Sequence, residues 1–447
     1  MSALTRRGFL GQVMATGVAV AAPAPLMAQQ AGRAAASDQS TLISQVRLRG
    51  RSGLWNVLLR NGRIDRISQD PVTASETIAG NGRLLTEGLV EHHIHLDKTL
   101  TADRVGWDEK TLAADREKFD AERKAGKFIR GFTAWRESQI KHTFTEEDVF
   151  DRAMRMARIE SANGTTTIRS HVVVEAVRGL KCVRGLLRAR EAMKPFMDLQ
   201  INLHPQDGNL LDEPNVIDLI HQSMKLGCDG VGGVPEVDPA RADDYIDLVF
   251  RLAKEYGAFV DIHVDQARDE RMFSHPIMVA KTRKYGLQQR VTASHSFSLG
   301  FQPRVKVLPV LDEMREVGIH LACTPNRSLE ERIQIPRSKG ILVSLINDNV
   351  RDTWTRGGNA DLVEQAALYY RAMGISSNEG LEEVFDLITT CPARALGLKD
   401  HGVREGARAD LILFDAASAP EALLHQAERS YVFKNGTVVA RDGRPVT

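Results

Sequence analysis

Eight short runs of apolar and β-branched residues recur along the middle of the sequence, and each run ends in polar residues. These runs are 84–95, 165–173, 198–206, 230–236, 258–266, 290–296, 319–326 and 341–349. Segments with the spacing of amphipathic helices lie between them, for example 146–163, 180–193, 215–226, 242–256 and 304–317. Eight alternating strand and helix units predict a (β/α)8 barrel of the TIM type over residues 83–399. The active site of such a barrel lies at the carboxyl ends of its strands.

Glycines and connection lengths agree with this assignment. Four of the helical segments are followed by a glycine, where helices commonly end in a left-handed residue: Gly164, Gly227, Gly257 and Gly318. The seventh connection, 327–339, is too short and too interrupted by proline to hold a full helix. The highly charged insertion 108–141 follows the first strand, and we interpret it as a pair of solvated surface helices. A lid, or a contact in a homo-oligomer, is the alternative interpretation.

Both ends of the chain have the pattern of β-hairpins. Alternating strand-like residues flank Asn61-Gly62 near the start and Asn435-Gly436 near the end. The Asn-Gly dipeptide is the strongest short signal for a two-residue hairpin turn. We therefore expect a small β-sandwich domain formed by both termini, from residues 40–82 and 400–447.

The first 28 residues have the pattern of an export signal. Thr5-Arg6-Arg7-Gly8-Phe9-Leu10 precedes an uncharged run, and a small-residue cleavage site lies near Ala28. This pattern is typical of a twin-arginine signal peptide and predicts a periplasmic protein with no membrane attachment after cleavage. A transmembrane anchor, the alternative, needs about 20 apolar residues, and Pro23 and Pro25 interrupt this run.

The charge balance favours a small-molecule partner. In 447 residues, 59 Lys and Arg face 58 Asp and Glu, so the formal net charge is +1. Such a chain has no general positive field for nucleic acid, and we expect no nucleic-acid partner. Its four cysteines contain no CxxC pair, so they indicate buried thiols rather than a disulfide framework or a thiolate zinc site.

The polar residues at the strand ends indicate a metal site. His93 and His95 end the first strand and, two residues apart, they share one face. The fifth strand ends in His263, the sixth in His295 and the eighth in Asp348. A lone pair of histidines would more often be structural, but three histidines and a carboxylate at one rim predict a nitrogen and oxygen site for a metal ion.

Such a site predicts hydrolysis. A divalent ion lowers the pKa of bound water to about 7. Asp348 could accept the proton of this water and transfer it to a leaving nitrogen, and His295 could bind the water or the developing oxyanion. The expected reaction is hydrolytic attack on a carbon that carries nitrogen.

The sequence motifs around these positions carry a family resemblance. They are Glu91-His92-His93-Ile94-His95-Leu96-Asp97, Thr292-Ala293-Ser294-His295, and Asn347-Asp348-Asn349 with Asp352 and Trp354. As a set they resemble the cytosine deaminase branch of the amidohydrolase superfamily, and the chain is also similar to N-isopropylammelide amidohydrolases. The resemblance covers most of residues 40–447.

The resemblance implies a fold, a cofactor and residue roles. It implies a metal-dependent hydrolase barrel in which a single zinc or iron ion is bound by His93, His95, His263 and Asp348. It assigns the hydrolytic water to His295 and Asp348. It also implies that Gln206 and Trp354 contact a planar substrate.

Two positions depart from the family pattern. The cytosine deaminases carry a proton-transferring glutamate where this chain has Gln266, and an acid follows their metal aspartate where this chain has Asn349. An amide can form a hydrogen bond to a ring but cannot deliver a proton. We therefore expect hydrolysis of a non-peptide carbon–nitrogen bond in a small N-heterocycle or a cyclic amide, with Gln266 and Asn349 in the substrate pocket. Cytosine or pyrimidine deamination, and a metal-binding barrel without catalysis, are the alternatives.

Two further residues have competing interpretations. His171 ends the second strand, where it either lines the substrate pocket or makes a structural hydrogen bond. Glu236 could bridge a second metal ion, but a position at the rim of the pocket is the preferred interpretation, so we expect a mononuclear site.

Overall fold

Eight parallel strands form a barrel sheet in which every strand lies beside its neighbours in sequence. The computed structural model describes residues 40–127, 131–267 and 270–446, so the predicted signal peptide lies outside the described residues. The barrel strands are β6 (Leu89–Ile94), β7 (Thr165–Val173), β8 (Asp198–His204), β9 (Gly230–Val231), β10 (Phe259–Val264), β11 (Val291–His295), β12 (Ile319–Cys323) and β13 (Val343–Leu345). The predicted TIM-type barrel is confirmed.

Nine further strands belong to a second sheet. They are β1 (Ser40–Leu48), β2 (Arg51–Arg60), β3 (Arg63–Ser68), β4 (Glu76–Ala79), β5 (Leu84–Glu87), β14 (Leu411–Phe414), β15 (Arg429–Lys434), β16 (Thr437–Arg441) and β17 (Arg444–Pro445). We call this the terminal sheet. The helices of the described chain are α1 (Glu109–Lys124), α2 (Phe132–Ile140), α3 (Glu146–Ala162), α4 (Lys181–Met193), α5 (Pro214–Leu226), α6 (Ala242–Tyr256), α7 (His275–Tyr285), α8 (Arg304–Val317), α9 (Ile335–Ser338), α10 (Leu362–Met373), α11 (Asn378–Asp386), α12 (Thr390–Ala395) and α13 (Ala419–Leu424).

Backbone hydrogen bonds between β6 and the segment after β13 close the barrel. The amide of Asp348 donates to the carbonyl of His93 at 3.0 Å, and the amide of His95 donates to the carbonyl of Asp348 at 3.4 Å. A parallel bridge joins Ile94 to Asp348. The first and eighth strands therefore meet at the carboxyl rim, where the sequence places its polar residues.

The predicted β-rich domain from both ends of the chain is confirmed, and its nine strands belong to one connected sheet. Strand β5 pairs with β14 in antiparallel register and with β1 in parallel register. The two predicted hairpins are β2–β3 and β15–β16. Their Asn-Gly turns have positive φ at both residues, 52° and 76° at Asn61 and Gly62, as a two-residue turn of this type requires.

Alternating residues of β14 face two different cores. Leu411 and Leu413 pack into the apolar core of the terminal sheet. Ile412 and Phe414 pack into the large core that the barrel and its helices share. Because successive side chains of a strand point to opposite faces, this strand joins the two cores.

The predicted first strand, 84–95, is two strands. It divides at Gly88: β5 belongs to the terminal sheet and only β6 belongs to the barrel. A Cβ at Gly88 would lie 2.4 Å from Oγ1 of Thr166, so only glycine allows the chain to pass this close to β7. The expected boundary between residues 82 and 83 is therefore wrong, because residues 84–87 pair with strands of the terminal sheet.

The charged insertion is helical, as predicted, but its second helix is not the expected solvated surface helix, because five of its nine residues are buried. Helix α1 begins after Asp108, whose side chain accepts a hydrogen bond from the amide of Thr111. Helix α2 follows, and its residues 134–137 are buried. The seventh connection holds only a short π-helical turn and α9, as its length indicated. Among the described residues, no helix has the length and apolar character to cross a membrane.

A buried lysine connects the terminal sheet to the barrel. Nζ of Lys434 donates to the carbonyl of Thr166 at 3.0 Å and to the carboxylates of Asp198 and Asp410 at 2.7 and 2.8 Å. Arg408 also contacts both carboxylates. The Lys434 side chain is fully buried, so its charge depends on these partners.

We expect Lys434→Met to lower the free energy of unfolding by about 3 kcal/mol, because it leaves buried Asp410 with one cation fewer. Chemical denaturation measures this loss. Lys339→Met is the matched control, since it removes a partly exposed lysine from an ion pair with Asp312 and should cost less than about 1 kcal/mol. Equal losses in the two variants would contradict the structural role of Lys434.

Candidate metal centre and active site

Four side chains from three positions on the barrel rim converge on one point. His93 and His95 come from the end of β6, His263 comes from β10, and Asp348 follows β13. One candidate ligand atom from each lies within 4.8 Å of all the others. Nε2 of His95 is 3.2 Å from Nε2 of His263. Oδ1 of Asp348 is 3.5 Å from Nε2 of His93 and 3.4 Å from Nε2 of His95.

A chain of hydrogen bonds orients His93. The hydroxyl of Ser294 donates to Oδ1 of Asp261 at 2.6 Å, and its oxygen lies 2.9 Å from Nδ1 of His93. Because the serine proton is directed to Asp261, the serine oxygen accepts a hydrogen bond from the N–H at Nδ1 of His93. Nε2 of His93 therefore keeps its lone pair and faces Asp348, as a metal-binding imidazole requires.

Asp261 is held as a carboxylate beneath this cluster. Burial raises its pKa, but His171 and Arg169 outweigh this effect and hold the pKa below its usual range. Arg169 donates to Oδ2 of Asp261 at 3.1 Å. The acceptor for Ser294 is therefore ionised and fixed in position.

Three of the converging groups, His95, His263 and Asp348, have pKa values shifted toward the charge states of metal ligands. Burial lowers the pKa of His95 well below its usual range, and Lys98 lowers it further. Burial also lowers the pKa of His263, with His204 as the next cause. Burial raises the pKa of Asp348, but His295, His93 and His95 outweigh it, so that the pKa lies well below its usual value.

A divalent metal ion fits these residues. Three neutral imidazoles and one carboxylate are ligands that zinc and iron accept. Within the described chain no hydrogen bond reaches Nε2 of His93, although this atom is buried. Buried polar atoms normally have a partner, so a cation between these groups would satisfy it.

His295 lies beside this centre, and both His295 and the candidate ligand Asp348 have a left-handed backbone. Their φ angles are 71° and 62°, which are uncommon for residues with side chains. Burial lowers the pKa of His295 to about 3, against the opposing effect of Asp348, and His93 and Arg332 lower it further. Nε of Arg332 donates to the carbonyl of His295 at 2.7 Å and holds this turn.

Two cavities that share lining residues lie at the four-residue cluster. The larger, of about 610 Å³, and the smaller, of about 40 Å³, are both lined by Gln266, His295, Asp348 and Trp354. Gln206 and Asn349, predicted to bind substrate, line the smaller cavity. Nδ2 of Asn349 donates to Oδ1 of Asp348 at 3.0 Å. The structure therefore brings Gln206, Gln266, Asn349 and Trp354 together beside the candidate metal ligands.

His171 is placed elsewhere. It lines neither of these cavities. Its ring stacks on His93 with centroids 3.8 Å apart, and its Nδ1 is 3.0 Å from Nδ2 of Asn202. This position behind a predicted ligand favours the supporting role over direct contact with substrate.

The structure also locates Glu236, the four cysteines, and Asp265, the acid that precedes Gln266. Glu236 lines the large cavity, and its carboxylate accepts a hydrogen bond from the amide of Ala267 at 2.6 Å. Asp265 lies away from the pocket, where it accepts hydrogen bonds from Ser274 and Ser298. The four cysteines are free, and burial raises the pKa of Cys182 to about 12, as expected for an inert thiol.

Sequence reasoning missed two residues at the site. His204 lines the small cavity and ends β8, so its position at a strand end was an available signal. Glu137 of α2 accepts hydrogen bonds from Gln206 and Trp354. No pattern in the sequence of α2 marks Glu137 as a site residue, because its role depends on where the helix packs.

Several known proteins are similar to this chain in sequence and fold. The chain is 28% identical over 420 residues to N-isopropylammelide isopropyl amidohydrolase of Pseudomonas sp. (strain ADP), covering 91% of this chain and 98% of that protein. It is 28% identical over 333 residues to pterin deaminase of Rhizobium rhizogenes, covering 71% and 75%. The structure of 5-methylcytosine deaminase from Klebsiella pneumoniae with 5-fluorocytosine aligns with a TM-score of 0.78 at 27% identity, covering 91% and 98%.

A protein-family model also matches more than half of the chain. The amidohydrolase family model matches residues 156–440, which include barrel strands β7–β13 and the strands β14 and β15 of the terminal sheet. The chain therefore belongs to the amidohydrolase family and is a hydrolytic enzyme of carbon–nitrogen bonds.

Proposed function

We propose that this protein hydrolyses a carbon–nitrogen bond, other than a peptide bond, in a small N-heterocycle or cyclic amide, with one zinc or iron ion held by His93, His95, His263 and Asp348. The observation that carries the proposal is the convergence of these four groups beside a pocket lined by amides and an indole. The relatives named above act on heterocycles of different kinds, which supports the class of substrate rather than one compound.

The ion would supply Lewis-acid activation of a water molecule. Oδ1 of Asp348 faces His93, His95 and Asn349, so Oδ2 is the oxygen left to accept a proton. We propose that Asp348 takes the proton from the attacking water while the water oxygen bonds to the substrate carbon. Asp348 then delivers the proton to the nitrogen as the carbon–nitrogen bond breaks. His295 is neutral and lies beside Asp348, where it can form a hydrogen bond to the developing oxyanion.

The proposed substrate contacts follow from the amide side chains. Nδ2 of Asn349 donates a hydrogen bond to Asp348, so Oδ1 of Asn349 is the acceptor that this side chain offers to a substrate. Gln206 accepts a hydrogen bond from Lys98 on Oε1, where a second lone pair is available. The buried Nε2 of Gln266 has no hydrogen-bond partner in the described chain and offers a donor. Neutral donors and acceptors of this kind suit a ring that carries both N–H and carbonyl groups.

Cytosine or pyrimidine deamination is the second candidate, because the fold and length match a 5-methylcytosine deaminase structure. Gln266 and Asn349 argue against it, since neither can donate a proton to a ring nitrogen. Asp265 points away from the pocket and does not replace the missing acid.

We further propose that the enzyme acts in the periplasm after twin-arginine export. This proposal rests on the arginine pair and the uncharged run of the first 28 residues. A route that carries folded proteins would allow the metal ion to be bound before export.

A substrate screen tests the proposed activity. We expect turnover of at least one member of a panel of pyrimidines, triazines, pterins and cyclic amides. Ammonia release detects deamination, and chromatographic loss of substrate detects ring opening or loss of an alkylamine. Asp348→Ala should lower the activity at least about 100-fold, because it removes the proposed base. Full metal loading with no turnover would favour a metal-binding barrel without catalysis.

Metal analysis tests the proposed centre. We expect His263→Ala to lose most of the metal that the wild-type protein retains, because only three of the four ligands would remain. Inductively coupled plasma mass spectrometry of the purified proteins measures the content. His320→Ala is the control, since this buried histidine lies outside the cluster and contacts the carbonyl of Gln289. Equal metal content in the two variants would exclude His263 as a ligand.

The missing acid gives a gain-of-function test. We expect Gln266→Glu to create or raise cytosine or isocytosine deamination, because a glutamic acid can protonate the ring nitrogen. A positioned general acid contributes about 10²–10⁴-fold, which sets the scale of the gain. Gln302→Glu, which introduces the same charge outside both cavities, is the control. A folded, metal-loaded Gln266→Glu variant without this gain would show that the pocket differs from a cytosine deaminase in more than this residue.

A further inference from the structure

One carboxylate of the insertion anchors both proposed substrate-contacting side chains. Glu137 lies on α2 and is 1% exposed. Its Oε2 accepts a hydrogen bond from Nε1 of Trp354 at 2.7 Å and another from Nε2 of Gln206 at 3.1 Å. Its Oε1 accepts a hydrogen bond from Nη2 of Arg178. Glu137 therefore connects the insertion to both side chains, while Gly131 and Thr133 of the same insertion line the larger cavity.

The hydrogen bonds of Gln206 determine the direction of its amide. Its Oε1 accepts from Nζ of Lys98 at 2.8 Å. The two protons of its Nε2 are directed to Glu137 and Asp207, each at 3.1 Å. A glutamine amide has two donors, and both are used. The carbonyl oxygen is the part of this amide that still has bonding capacity toward the pocket.

Trp354 depends on the same carboxylate. The indole Nε1 is the only hydrogen-bond donor of a tryptophan side chain, and it is directed to Glu137. Trp354 lines both cavities, and Nζ of Lys98 lies 5.1 Å from its ring centroid. The hydrogen bond to Glu137 of the insertion thus orients the indole toward the pocket.

We propose that Glu137 is the positioning residue of the substrate pocket, which holds the Gln206 amide and the Trp354 indole in the orientations that meet the ring of the substrate. This role rests on the proposed function. Glu137 itself lines neither cavity, so it acts through these two residues.

The substitution Glu137→Gln separates this role from the structural pairing with Arg178. The new amide has one acceptor oxygen in place of two. Two cations face this carboxylate: Nη2 of Arg178 donates a direct hydrogen bond to Oε1, whereas Nζ of Lys98 lies 3.7 Å from Oε2. The oxygen of the new amide therefore stays on the Arg178 side, and the amide NH2 is turned toward Trp354 and Gln206. Because these two groups are themselves donors, both lose their acceptor. Arg178 also keeps Glu175 and Asp97 as partners.

A fluorescence measurement tests the proposal without any substrate. The emission of Trp354 is obtained as the difference between wild-type protein and Trp354→Phe. The same difference is then taken between Glu137→Gln and Glu137→Gln/Trp354→Phe. We expect a shift of the Trp354 emission when the indole loses its carboxylate acceptor. An unchanged difference spectrum would overturn the proposal, whether or not a substrate has been found.

Kinetics with any substrate from the screen test the consequence. We expect Glu137→Gln to raise KM about tenfold or more with unchanged metal content, since hydrogen bonds to a charged group are lost. Adding Gln206→Ala to Glu137→Gln should have much less effect than Gln206→Ala alone, because residues that act through each other are not additive.

Glu87→Gln is the matched control, since this buried carboxylate pairs with Arg49 in the terminal sheet and lines neither cavity. A merely structural role would lower the melting temperature of both variants and leave KM unchanged in both. That result, or full additivity with Gln206→Ala, would overturn the proposal.

Discussion

The hydrogen bonds that close the barrel also bring three of the four candidate metal ligands together. The amide of Asp348 donates to the carbonyl of His93, and the amide of His95 donates to the carbonyl of Asp348. These residues are predicted ligands from the first and last strands of the barrel. Their side chains converge because their backbones are paired, so the register of one strand pair decides whether the site exists. If the pairing of one of these strands shifted by one residue, the side chains of that strand would turn to the opposite face.

Hydrogen bonds and ion pairs link polar side chains beneath the cluster. Ser294 links His93 to Asp261, and Arg169 neutralises Asp261 from below. Buried charges are tolerated only with such partners, and the partners in turn fix the tautomer of the imidazole. Glu137 performs a comparable function on the substrate side, where it is held between Arg178 and Lys98. The two sides of the active site thus use ionised carboxylates to orient neutral groups.

The sequence alone predicted that the polar residues at the strand ends would converge. His93, His95, His263 and Asp348 were predicted together because the carboxyl ends of parallel strands meet at one rim, a rule that needs no tertiary detail. The division at Gly88 was not predicted, because residues on both sides of it have the same strand pattern and only the close approach of Thr166 separates them. Glu137 was not predicted for a related reason. Glu137 lies in an insertion that is highly charged as a whole, and its burial arises from packing against Arg178 and Trp354.

The terminal sheet has a consequence for the order of folding. Strand β5 ends at residue 87, but its partner β14 begins at residue 411. During synthesis from the amino terminus, one edge of β5 stays unpaired until almost the whole barrel has been made. Exposed strand edges are sites of association between chains, and pairings between distant residues form slowly. A chain interrupted before β14 keeps this open edge permanently, so complete synthesis protects the protein from aggregation as well as completing its fold.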